Sequence, residues 1–157
     1  MFRELARKNK QIGMEECIAV LKGATRGVLS VLGDNEYPYG MPMNHFYNEE
    51  DGKIYFHCGA FGHRLEALKK RDKVSFCVFD QGYRNEGEWA LNVKSIIVFG
   101  RMEIIDDPEV ITDISTRLSN KFTNDDEYIK KEIEENLRIT RILALTPEHI
   151  CGKLVNE

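Results

Sequence analysis

Residues 54–68 change their hydrophobic period in mid-run, and that switch constrains the chain more than any other feature of the sequence. Ile54 and Phe56 alternate with Tyr55 and His57, the spacing of two that marks a strand. Gly59 and Gly62 break the alternation, and Leu65 and Leu68, three apart, restart the pattern as a short helix. Two glycines permit backbone shapes closed to other residues and let N–H groups approach a ligand. The helix begins beside His63 and Arg64, so its positive end and a guanidinium fork face one space. Two readings fit this segment: a phosphate cradle, or an ordinary strand-to-helix turn with a solvated arginine.

Length and charge narrow the classes. A chain of 157 residues is expected to form one domain, 1–157. With 22 basic against 26 acidic side chains the net charge is −4, which argues against a nucleic-acid partner held through its phosphates. No stretch approaches a membrane span, and Met1–Arg7 lacks the apolar core of a signal peptide. Cysteines at 17, 58, 77 and 151 include no Cys-x-x-Cys pair, so no metal site is expected. They read as small hydrophobes of a reduced, cytoplasmic protein. Cys58 alone sits inside the candidate site.

Along the chain, Met14 to Leu21 reads as a helix closed by Gly23. Strands are expected over 27–32, 40–48, 54–58, 73–79, 93–105 and 141–145, the second carrying Pro42, which implies an edge, a bulge or a strand start. Gly100 marks a bulge or bend in the long strand, and Thr146-Pro147 is expected to end the last one. Helices follow at 63–70, 109–122 and 127–137, the last of them charged and solvated. Residues 80–92 form a polar loop carrying Trp89, the only tryptophan. Six strands joined by short turns favour an antiparallel sheet rolled into a small barrel, hence α+β.

Tyr37-Pro38-Tyr39 with Pro42, Ile54-Tyr55-Phe56-His57 with Ala60 and Gly62-His63-Arg64, Val74-Ser75-Phe76, and Ser95 with Phe99-Gly100 together resemble the nitroimidazole-resistance family. These are pyridoxamine-phosphate oxidase-like flavoproteins of the FMN-binding split-barrel class. The likeness runs from Met1-Phe2-Arg3 to Gly152-Lys153, and it rests on the order and spacing of the motifs rather than on any one of them. Position 64 is Arg where the family often has Lys; either neutralises a phosphate, and Arg does so bidentately.

The resemblance implies an α+β, six-stranded antiparallel split barrel with flanking helices, dimeric, with FMN at the subunit interface. It implies that the backbone N–H groups of residues 59–62, Gly59, Ala60 and Gly62 among them, receive the FMN phosphate beside Cys58, with His63 and Arg64 as polar and cationic partners. Met41, Pro42, Met43 and Asn44 lie along the isoalloxazine ring, which Asn44 meets with its amide. Trp89, Ser95 and Ile97 face the flavin bound mainly by the other subunit. Of the histidines, His45 and His57 fit satisfied sheet positions, or else His57 serves as a donor or proton relay near the flavin. The implied activity is flavin-dependent reduction of a small, electron-poor organic molecule, with reduced nicotinamide, NAD(P)H, as a candidate donor. Two alternatives stand beside it: a non-enzymatic flavin- or haem-binding module, and a pyridoxamine-phosphate oxidase proper, which lacks a second basic cluster here.

Overall fold

In the computed structural model, which describes residues 1–157, seven strands form one antiparallel sheet. They are β1 (Arg26–Leu32), β2 (Pro38–Asn44), β3 (Phe46–Asn48), β4 (Lys53–Gly59), β5 (Lys73–Phe79), β6 (Asn92–Ile105) and β7 (Thr140–Asn156). Four helices flank them: α1 (Met14–Gly23), α2 (His63–Lys70), α3 (Pro108–Ser119) and α4 (Asp126–Asn136). The strand order is β2-β1-β5-β6-β7-β4-β3. The outer strands β2 and β3 are thus opposite edges, yet only His45 separates them in the chain. A sheet whose two edges are tied by one residue must curl round on itself. The result is a barrel split along one seam, and Arg64 Nε donates to Met41 Sδ at 2.9 Å near it.

Seven strands replace the six expected because the segment 40–48 breaks at His45. Its ring is fully buried and its Nε2 lies 2.6 Å from the Leu21 carbonyl oxygen. That contact turns the chain from the β1 side of the sheet to the β4 side. The second difference is β7, which runs on to Asn156 through Pro147 rather than stopping there. Pro147 faces Gly100 where the β6–β7 register shifts, between Phe99 and Gly100. A proline that cannot donate is tolerated where the ladder is already interrupted. The irregularity expected at Gly100 lies opposite it, the extra residue being Glu148 of β7, and a Cβ on Gly100 would collide with the Thr146 carbonyl oxygen.

Alternation sorts the side chains into an inside and an outside. Phe56, Phe76, Ile96, Val98, Leu143 and Leu145 fill the barrel, closed by Cys17 and Leu21 of α1 and by Leu65 and Leu68 of α2. Phe56 meets Phe76 edge-on at 5.0 Å. On the outside, Tyr55, Ile142 and Ala144 are covered by Ile111 and Ile114 of α3, a helix whose first N–H groups the Asp107 carboxylate caps. Each large side chain so buried contributes about 1.5–3 kcal/mol. The N-terminal arm docks on the sheet, with Phe2 stacked on His149 at 4.8 Å and the Ile12 N–H donating to the Gly152 carbonyl oxygen. No helix is long and apolar enough to cross a membrane.

Candidate functional site

Beside the seam, Arg26, Pro42, Met43, Asn44, His57 and Arg64 line a cleft of about 390 Å³. Strand register brings most of them together. Arg26 stands opposite Asn44 on the β1–β2 pair, and Val28 stands opposite Pro42. The Arg26 Nε donates to Asn44 Oδ1 at 3.1 Å. A guanidinium has only donors, so the amide oxygen must face it, and the Asn44 NH₂ is the group left for a ligand. Alternation along β2 turns Pro42 outward and buries the Met41 and Met43 side chains in the core. Those two methionines can meet a ligand only through their backbone.

The facing wall comes from β4 and α2, through His57 and Arg64, on either side of the turn that joins them. Gly62 precedes the helix with φ of +122°, a conformation that L side chains rarely adopt. The α2 N–H groups that follow have no intrahelical partner and point out of the helix start. The Ala60 N–H, expected in the cradle, instead donates to the Ile139 carbonyl oxygen at 2.8 Å, so Gly59, opposite Thr140, is a non-hydrogen-bonded position of the β4–β7 ladder and its N–H points away from β7. Of the expected backbone donors, Ala60 alone is withdrawn, and the N–H groups of Gly59 and of the helix start remain outside the β4–β7 ladder.

His63 also departs from expectation. Its ring stacks on Tyr39 at 4.5 Å, and its Nε2 accepts the Asp34 N–H at 3.1 Å. Successive helical residues point about 100° apart, and the His63 ring, turned to Tyr39 and the Asp34 N–H, is not among the groups that line the cleft. Arg64, by contrast, lines the cleft, steadied through Nε by the Met41 sulfur and lying against the Cys58 thiol.

Electrostatics assign two further roles. Partial desolvation, helped by the Arg64 guanidinium, pushes the His57 imidazole below its ordinary pKa. At neutral pH it acts as an uncharged donor or acceptor and not as a cation. Burial pushes the Cys58 thiol up, outweighing the opposite pull of Arg64 and Arg141. Cys58 is a buried small hydrophobe, without the lowered pKa a reactive thiol needs.

The three residues expected to face a partner subunit's flavin lie away from this chain's own cleft. Trp89 is 83% exposed on its loop, and Ser95 and Ile97 stand on the outward face of β6, beside Phe79 and Cys77 of β5. None of them lines this cleft. Arg26, conversely, carried no sequence signal, being an arginine at a strand start without a motif. Its role depends on the β1–β2 register. Past Arg26 and Pro42 the cleft widens into a hollow of about 790 Å³ bounded by α1, Val28, Phe79, Asp80 and Lys94.

A family model described as pyridoxamine 5'-phosphate oxidase matches residues 14–154. The chain belongs to the pyridoxamine 5'-phosphate oxidase family. The match spans both walls of the cleft, β1–β2 and β4–α2. Among solved structures, the chain is similar to a conserved hypothetical protein, Rv2991, from Mycobacterium tuberculosis, with TM-score 0.80 and 16% identity over 96% of this chain and 90% of that one. A candidate 5-nitroimidazole antibiotic resistance protein from Bacteroides thetaiotaomicron gives TM-score 0.75 and 17% identity over 99% and 97%. An FAD-binding protein from Mesorhizobium loti gives 0.65 and 20% over 93% and 97%. At these identities the likeness carries the split-barrel fold and no more. No curated protein matches the sequence.

Proposed function

We propose that the protein binds FMN non-covalently and, with it, reduces a small, electron-poor organic molecule. The observation that carries this reading is one cleft holding two arginines, a carboxamide with its NH₂ free and an uncharged imidazole beside an open helix start. A flavin mononucleotide has a dianionic phosphate and a flat ring, apolar in body and polar at its rim. The phosphate suits the Arg64 fork and the first N–H groups of α2. The rim suits the Asn44 amide, oriented by Arg26, and the β2 backbone at Pro42. His57 offers a neutral hydrogen-bonding group between them, able to hold a proton or pass one. When bound, the flavin supplies the redox chemistry, accepting electrons from a donor such as reduced nicotinamide and passing them on.

The relatives' descriptions favour the same chemistry, one as a candidate nitroimidazole-resistance protein and one as FAD-binding. We favour FMN because the strand-to-helix turn carries no Gly-x-Gly-x-x-Gly fingerprint for a dinucleotide. The second wall for the flavin comes, in this reading, from a second copy of the chain. The outward sheet face supports it: Val28, Cys77, Ile97 and Cys151 stand side by side on β1, β5, β6 and β7. Phe79 and Phe99 flank them, 60% and 37% exposed. Mass analysis of the cofactor released from purified protein tests the proposal, and recovery of FAD, or of no flavin after reconstitution, overturns it. A visible spectrum separates flavin bands near roughly 370 and 450 nm from the Soret band of a haem module.

A further inference from the structure

Behind His57 lies a second hollow of opposite character. Between α3, α4 and the end of β4 lies a half-open cavity of about 450 Å³, and His57 lines both this cavity and the cleft. Ile111 and Ile129 form part of its wall and are almost wholly buried. Around the cavity, Phe122, Tyr128 and Ile139 are 50%, 56% and 56% exposed. Large apolar side chains clustered in water mark an interaction site. The polar groups are mostly uncharged, the Ser115 and Ser119 hydroxyls among them, and the single charge is the Glu132 carboxylate. No lysine or arginine lines it, whereas the cleft across His57 holds two arginines.

We infer that this cavity is a second binding site, for a neutral organic molecule bearing an aromatic ring. An anion entering it meets a carboxylate and no cation, so it is disfavoured. A neutral ring gains isoleucine walls, two aromatic neighbours and hydroxyls that donate or accept. The volume falls in the range of small-molecule sites, roughly 300–1,000 Å³. The inference rests on the cavity's own chemistry and holds whether or not the cleft takes a flavin.

The test uses two fluorescent probes on the full-length protein, with and without added FMN: neutral Nile red and the sulfonate anilinonaphthalene sulfonate. Saturable Nile red binding is expected in both states, with the sulfonate at least tenfold weaker. Ser119→Phe, which fills the cavity, should weaken Nile red at least tenfold and leave FMN affinity unchanged. Glu132→Lys changes an exposed side chain, so the fold is retained, and it should strengthen sulfonate binding at least tenfold. Nile red binding that survives Ser119→Phe, a sulfonate that binds the native protein as well as Nile red does, or indifference to Glu132→Lys overturns the inference. FMN titration of the same samples reports on the cleft separately, so failure of either reading is visible without the other.

Discussion

At the scale of single residues, Arg64 and His45 carry the sharpest expectations. Arg64→Ala should weaken FMN by one or two charge-assisted hydrogen bonds, about 1.5–3 kcal/mol each, while riboflavin, lacking the phosphate, binds as before. Arg26→Ala acts through Asn44 and should weaken both ligands alike. Titration followed by flavin fluorescence separates the two, and equal losses of both flavins for Arg64→Ala would mean that it acts through folding. His45 is a different case. Its Nε2 faces the Leu21 carbonyl oxygen and so carries the proton, and its buried Nδ1 has no partner. Lys121 Nζ donates to the carbonyl oxygens of His45 and Ala24 at 2.6 and 2.9 Å. Burial foremost, then the Lys121 charge, hold the His45 pKa down at about 4 against an ordinary 6.5. The unfolded chain therefore takes up a proton near pH 6.5 that the folded one refuses until about pH 4. This contribution to stability is complete above pH 6.5 and lost as pH falls towards 4, on the order of 3 kcal/mol in all. In urea unfolding, His45→Gln should flatten that slope by about one proton; an unchanged slope would assign the uptake to another group.

At the scale of elements, the stretch of β6 opposite the β7 bulge and the bare face of β2 respond differently to the same change. A methyl group on Gly100 meets the Thr146 carbonyl oxygen and Leu145 Cδ1, where β6 and β7 pass closest. Gly100→Ala should destabilise by about 1–3 kcal/mol, several degrees in Tm for a domain of this size. A methyl on Gly40 finds Ser30 Oγ and Val28 Cγ1 at 3.4 Å, an ordinary contact on the outward face. Gly40→Ala should leave Tm nearly unchanged. Thermal unfolding of the two variants side by side checks the contrast, and equal shifts would contradict the packing argument. The turn into α2 belongs to this scale too, because Gly62 holds its positive φ with open space where a Cβ would lie. Any cost of substitution there is conformational rather than steric.

For the whole molecule, the expectation is that dimerisation and flavin binding are coupled. A barrel filled by Phe56, Phe76 and Ile96 has no interior room for a cofactor, so a flavin lies outside and needs a second wall. The outward row of Val28, Cys77, Ile97 and Cys151 is continuous with Pro42 at the cleft through the Val28–Pro42 pairing. A ligand bound by the dimer and not the monomer stabilises the dimer by mass action. Dilution should release FMN and monomers together, and added FMN should move the dissociation midpoint to lower protein concentration. Ile97→Asp puts an unpaired charge in the apolar row, and it should yield monomers with much weakened FMN. Sedimentation run in parallel with flavin fluorescence measures both, and a monomer that keeps FMN at full affinity would sink the coupling.

Local pattern alone located nearly every element, because hydrophobic period and glycine positions act over a few residues. The strand-glycine-helix run at 54–70 and the irregularity beside Gly100 were legible, as was the resemblance that pointed to a split barrel, whereas the bulged strand proved to be β7 and α4 buries Ile129 rather than being wholly solvated. What the sequence could not show was pairing. Whether 40–48 is one strand or two depends on the Leu21 carbonyl that His45 meets from another element, and whether Pro147 ends β7 depends on the glycine opposite. The same holds at the cleft. Arg26 enters it only through its register with Asn44, while Met41, Met43 and the His63 ring leave it because strand alternation and helical rotation turn them away. Residue type and order are written locally, but which side chains share a space is decided by contacts between segments far apart in the chain, and only the folded sheet brings those together.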